Sequence, residues 1–497
     1  EHMLFRGTPS LPNALAEFSR RGLRANGSTS SDRTNYYATF ASDPDLLEWY
    51  LRWQADVMVN ATISREDLDA EMTVVRNEME AGENSPFETL MQKVQSAAYQ
   101  WHNYSNDTIG ARSDVESVDI EQLRAFYRLY YQPDNAVLIV SGRFKPQETL
   151  DLIADAFLKI PRPERSLPPE YTIEPVQKGE QEIIVRRQGG TPLVIAQYHI
   201  PAAATPEFIA LDLGTMMLAD TPSGRLYKAL VQDGFAAHSF GFARPMRQPG
   251  YALFGAQLES GMNADKALNI LTQTVENLKH KPFVQKELER ARNQWITSWS
   301  ETHSDPASLA SALSESAALG DWRLFYWMRE QAEQTNLETV QDVTSAYLVP
   351  SNRTAGLYLP TESTQRAPKP PAADPAVLLK NFEGRETQKL TDAFEASPEN
   401  IDAQTLRETL TLDNGSLELA LLTKPTRGDR VEARLLLQAG SAGDLEGLRA
   451  VSGATAALLT RGTSKYTREE IADRFDQLQA QVDFGGSGNQ VGVNISV

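Results

Sequence analysis

A short motif written twice constrains this chain most. Arg461-Gly462-Thr463 repeats Arg6-Gly7-Thr8, and the surroundings repeat with it. Met3-Leu4-Phe5 precedes the first copy and Leu458-Leu459-Thr460 the second, each an apolar helix end. A helix with a central phenylalanine follows, Phe18 or Phe475, and then a small-residue strand start, Asn26-Gly27-Ser28 or Gly485-Gly486-Ser487. Self-similarity at a long period means two structural units of one design, so the chain reads as one full unit of roughly 400 residues and the beginning of another. It opens inside a motif, and Val491-Gly492-Val493-Asn494-Ile495-Ser496-Val497 ends inside a strand pattern, so an internal fragment of a longer protein is expected.

The first copy carries chemistry that the second lacks. Glu1-His2 stands immediately before the shared turn. On a helix, a histidine three residues ahead of Glu1 would share a face with His2, and both imidazoles could reach one Zn²⁺. The intervening glutamate would then face the ion's water as a general base. The dipeptide alone is equally a helix end without chemistry. In the second copy Ala456 and Ala457 fall on Glu1 and His2, and Gly453 falls on the upstream histidine. A scaffold retained without its polar groups fits a site needed once.

Composition removes other chemistries. The 497 residues are 41% hydrophobic and 23% charged, as in ordinary globular proteins. A net charge of −18 argues against nucleic acid and anionic membranes as partners. No cysteine is present, which excludes disulfides, Cys-zinc sites and thiol catalysis, so a metal site must use His, Asp or Glu. No apolar run reaches the roughly 20 residues of a membrane span.

Along the chain, a helix is expected over 13–22, two strands with a polar turn at Ser31-Asp32 over 26–40, and a helix after a Ser42/Asp45 capping signal. Ser64 and Asp67 open the next helix, where Leu68, Met72, Val75 and Met79 form an apolar stripe. Glu71 and Glu78 lie about two turns apart beside that stripe. They read either as buried carboxylates held by a partner or a metal, or as solvated charges near Glu80 and Glu83. Ala136-Val137-Leu138-Ile139-Val140-Ser141-Gly142 reads as a short buried strand, and Pro161, Pro163, Pro168 and Pro169 as a linker. Strand pairs with intervening helices over 180–360 give an α+β fold, repeated units of a mostly antiparallel sheet covered by helices. The expected domains are 1–160 with the metal site, 170–360 of the same general fold, a linker over 361–400, and the start of a degenerate second repeat over 401–497.

These motifs together resemble the insulinase/pitrilysin family of zinc metallopeptidases, particularly its large two-repeat bacterial members. Glu1-His2 followed by Met3-Leu4-Phe5-Arg6-Gly7-Thr8 resembles the second half of the family's inverted His-x-x-Glu-His helix and its following turn. The resemblance implies a zinc ion held by an upstream histidine, His2 and Glu78, with Glu1 as base and Glu71 as a supporting catalytic glutamate. It implies that Asn26, Ser28 and Thr29 lie on the strand edge that pairs with substrate backbone. Peptide or unfolded substrates would be enclosed between two bowl-like halves, the second half of the same chain completing the chamber, in the periplasm. Ser223-Gly224-Arg225-Leu226 resembles a structural helix start of the second domain. A catalytically silent family member acting as a scaffold or partner subunit is the competing reading.

Overall fold

The computed structural model describes residues 1–384 and 393–497, apart from 427, 439, 442, 445 and 448. Of the linker expected over 361–400, residues 385–392 lie outside the described residues. The chain forms two compact units, Glu1–Ala367 and Pro368–Val497.

In the first unit, a single 3₁₀ turn, His2–Arg6, leads into α1 (Ala14–Arg21), the antiparallel hairpin of β1 (Arg24–Thr29) and β2 (Thr34–Thr39), α2 (Pro44–Asn60), α3 (Arg65–Glu83) and α4 (Pro86–Ala98). Local chemistry sets the helix starts. Asn13, Ser64 and Ser85 each accept a backbone N–H of the first turn that would otherwise lack a partner. At α2 the cap is Asp43, accepting from Asp45 and Leu46, while Ser42 donates to the Arg143 carbonyl instead. A hydrophobic cluster of Met3, Leu4, Phe18, Trp53, Val57 and Leu68 gathers the turn, α1, α2 and α3 around one core.

The expected strand over 136–142 does not form. No strand pairs with the run among the described residues, and Val137 and Leu138 are exposed at 64% and 43%. A strand needs a neighbour for its N–H and C=O groups, and β1 and β2 form only a two-stranded ribbon.

Further along, a five-stranded sheet has the order β3-β7-β4-β6-β5, from β3 (Gln181–Arg187), β4 (Leu193–His199), β5 (Ala236–Arg244), β6 (Tyr251–Leu258) and β7 (Arg353–Pro360). Only the β3–β7 pair is parallel, so the expected α+β class with a mostly antiparallel sheet is what forms. Helices Pro206–Ala219 and Ala264–Glu276 bury one face. The other face is covered by α4, whose Leu90 and Val94 pack on Leu193, Ile195, Leu253 and Tyr358. Gly356 makes that approach possible, since a Cβ there would lie 2.6 Å from Val94 Cγ2. Arg225 has the structural role read from sequence, bridging Glu287 and the carbonyls of Lys281 and Pro282.

One buried carboxyl makes stability depend on pH. Asp212, on the helix Pro206–Ala219, accepts from Trp295 Nε1 at 3.0 Å. Burial pushes its pKa up to about 6 from 3.8, the Trp295 bond opposing. A folded-state value above the unfolded one means that the folded chain holds the proton more tightly. Stability from this group is therefore present at low pH and lost as pH rises from about 4 through 6. Asp212→Asn is expected to stabilise at pH 7 by up to about 3 kcal/mol and to leave stability unchanged near pH 4. Thermal midpoints at the two pH values check this, and an equal gap at both would sink it.

In the second unit, hairpin strands Thr405–Leu412 and Gly415–Leu422 precede strand Glu432–Gln438 and helix Arg449–Leu458. The Arg461-Gly462-Thr463 turn then leads to helix Arg468–Gln477 and an antiparallel pair, Gln481–Ser487 with Gln490–Ser496. This succession of turn, helix and hairpin is that of residues 2–39. Both turn glycines need positive φ, 92° at Gly7 and 141° at Gly462, which disfavours any other residue at either position.

Candidate metal and base site

The site is built from three elements: the His2–Arg6 turn, α3 and β1. Met3 and Leu4 are buried, which anchors the turn and presents His2 on its open side. Behind the turn, Thr8 Oγ1 donates to Asp56 Oδ2 at 2.6 Å and Thr62 N donates to Gly7 O at 2.8 Å, fixing the exit to α2 and α3.

The α3 helix projects Asp67, Glu71 and Glu78 toward the turn. Glu71 Oε2 lies 3.1 Å from His2 Nδ1, and Glu71 Oε1 accepts from Arg6 Nε at 2.7 Å. Arg6 also reaches Asp67 at 3.9 Å. The second imidazole nitrogen, His2 Nε2, faces Glu78 Oε2 at 3.6 Å. Of the two glutamates expected at the core edge, Glu71 is enclosed at 13% exposure, whereas Glu78 is open at 62%. The reason is position along the helix: Glu71 lies against the turn and Arg6, and Glu78 extends past it.

Glu1 is held from the hairpin. Thr29 Oγ1 donates to Glu1 Oε2 at 2.5 Å, and Tyr36 OH donates to the Glu1 carbonyl at 3.4 Å while sharing a 3.0 Å hydrogen bond with Tyr131 OH. Burial, then Tyr131, pushes the Tyr36 hydroxyl well above its ordinary pKa, so it remains a donor. Gly27 leaves the space that Glu1 fills, since a Cβ there would stand 2.8 Å from Glu1 Oε1. Strand alternation therefore divides the three expected edge residues. Thr29 faces Glu1, while Asn26 and Ser28 project from the other face, with Ser28 Oγ bonded to Asn35 at 2.8 Å. The sequence motifs include Arg6 and Gly27 but give neither them nor Tyr36 and Tyr131 a role in the site, although the Tyr36-Tyr37 pair opposite Asn26-Gly27 carried a cross-strand signal.

The donor set can be tested against zinc. Two ligands each about 2 Å from a tetrahedral ion stand roughly 3.3 Å apart. His2 Nε2 and Glu78 Oε2 are close to that spacing, with Nδ1 of the same ring already oriented by a carboxylate. They supply two ligands. Among the described residues no group of three His, Cys, Asp or Glu side chains forms a metal cluster. Among those residues, too, no helix is long and apolar enough to cross a membrane.

Comparison with known proteins gives a consistent family. The model described as Insulinase (Peptidase family M16) matches residues 1–112, and that described as Peptidase M16 inactive domain matches residues 117–295. Glu1, His2, Glu71 and Glu78 all fall in the first. The chain is 28% identical over 300 residues to "Zinc protease PqqE" of Helicobacter pylori, covering 59% of this chain and 67% of that protein. It is 30% identical over 168 residues to "Probable zinc protease PqqL" of Escherichia coli, covering 32% of this chain but only 18% of that one. In fold it is similar to the crystal structure of a protease from Helicobacter pylori, with TM-score 0.69 and 23% identity over 72% of this chain and 88% of that one. It is also similar to the periplasmic protease PqqL from Escherichia coli, with TM-score 0.58 and 17% identity over all of this chain and 58% of that one. On these matches and this fold, the chain belongs to the insulinase family of peptidases.

Proposed function

We propose that this chain carries the catalytic centre of a zinc-dependent metallopeptidase that hydrolyses peptides or unfolded polypeptide segments. The line Glu71–His2–Glu78, with one imidazole nitrogen oriented by a half-buried carboxylate and the other facing an open one, is the observation that carries the reading. His2 and Glu78 would hold the zinc with a histidine outside this sequence, and Glu71 together with Arg6 would fix the tautomer and angle of His2. Bound zinc supplies a Lewis acid that polarises the scissile carbonyl and lowers the pKa of water. Glu1 Oε2 is held by Thr29, which leaves Oε1 to take the water's proton and pass it to the leaving amine. Substrate backbone would add to the edge of β1, beside Asn26, Ser28 and Thr29. Under the same reading residues 401–497 begin a second, non-catalytic repeat, the second half of the same chain completes the chamber, and the protein resides in the periplasm, as its Escherichia coli neighbour does.

The test is zinc content and cleavage of a flexible peptide mixture by the full-length protein, before and after chelation. Stoichiometric zinc, with activity lost on chelation and restored by zinc, supports the proposal. A protein that neither holds zinc nor cleaves is the silent scaffold.

A further inference from the structure

The face of the β1–β2 hairpin turned away from Glu1 carries a second polar cluster. The Arg33 guanidinium, 13% exposed, donates through Nη1 to the Ser28 carbonyl at 3.1 Å and to Ser28 Oγ at 2.9 Å. Through Nη2 it pairs with Glu315, on the helix Pro306–Ala318. Asn35, the cross-strand partner of Ser28, donates to Ser314 Oγ of that helix at 3.4 Å. At the hairpin tip, Asp32 accepts from Tyr104 OH at 2.6 Å and from the Arg247 backbone at 3.1 Å.

A two-stranded ribbon is marginal by itself, and its twist is set by whatever packs on it. Here Arg33 grips both the side chain and the carbonyl of Ser28, the residue joined to Thr29 by the next peptide bond. Thr29 is the residue that holds Glu1 Oε2. A planar guanidinium bonded on two sides fixes orientation as well as distance. We propose that Arg33, gripped by Glu315, is a positioning residue for Glu1. It registers β1 over the site from a helix remote in sequence, and with β1 the edge that would receive substrate. This rests on the reading of Glu1 as the base.

The experiment uses the full-length protein with Arg33→Met, Arg33→Lys, Glu315→Gln and the Met/Gln double variant. It reads kcat and KM on a flexible peptide, zinc content, and amide hydrogen exchange over residues 24–39. Arg33→Met is expected to lower kcat about 10- to 100-fold through misalignment while zinc content stays at the parental value. Exchange over 24–39 should quicken against an unchanged remainder of the first unit. Arg33→Lys should recover part of kcat, and the double variant should be no worse than Arg33→Met, because both changes break one link. Parental kcat in Arg33→Met overturns the proposal, whatever the exchange shows. If the parent itself does not cleave, the catalytic reading fails separately. Exchange then decides the clasp: faster exchange over 24–39 supports it, and parental exchange overturns it.

Discussion

Glu1→Gln in the full-length protein is expected to retain zinc at the parental stoichiometry and to lose about 10²- to 10⁴-fold in peptide hydrolysis, the range that a positioned general base contributes. Glutamine fits the space opposite Gly27 and still offers an oxygen to Thr29 Oγ1, so the hairpin, the Tyr36 contact to the Glu1 carbonyl and the His2–Glu71 pair need not move. What it cannot do is accept a proton. The loss should appear in kcat, with KM nearly unchanged, because a base acts in the transition state and contributes little to ground-state binding. A variant that holds zinc and cleaves within about tenfold of the parent would remove Glu1 from the base role, being smaller than any ordinary base contribution.

Phe18→Ala is expected to destabilise the first unit by about 3–5 kcal/mol, the range for deleting a fully buried aromatic ring. Phe18 is 2% exposed, and its ring meets Trp53 edge-on at 4.7 Å, Trp49 at 6.0 Å and Tyr50 at 6.1 Å. The same cluster seats Met3 and Leu4, so the cavity would loosen the turn that presents Glu1 and His2. Urea unfolding of the full chain, followed by hydrogen exchange over Ala14–Arg21, measures it. A loss under about 1 kcal/mol would mean that the neighbours collapse into the space or that the ring lies outside the cooperative core.

The elements legible in the sequence were those whose pattern is local. The stripe of Leu68 and Met79 placed α3, Ser64 marked its start, and Asn26-Gly27-Ser28 through Phe40 gave the hairpin. The pairing of His2 with Glu71 and Glu78 was reachable only through the family resemblance, because contacts between residues so far apart leave no periodic trace. The run over 136–142 misled because an apolar β-branched stretch specifies extended backbone without specifying a partner strand. Helices Pro306–Ala318, Leu324–Gln334 and Leu337–Tyr347 went unread, although Asp305 and Asn336 cap two of them. Strand β7, which lies between β3 and β4, was missed as well. The split of Thr29 from Asn26 and Ser28 follows from strand alternation once the hairpin face is known, and sequence alone did not say which face meets Glu1.

The placement of α4 has a consequence for where this polypeptide can be cut. Leu90 and Val94 belong, by chain order, to the piece that bears Glu1, yet they shelter Ile195, Leu253 and Tyr358 of the piece that follows the prolines at 161–169. Scission in that proline stretch would break the backbone without separating the halves, because each would expose an apolar face that only the other covers. Encoded as two genes, the same halves would form an obligate heterodimer, with α4 supplying one apolar part of an interface to which the hairpin contacts of Asp32, Arg33 and Asn35 also belong.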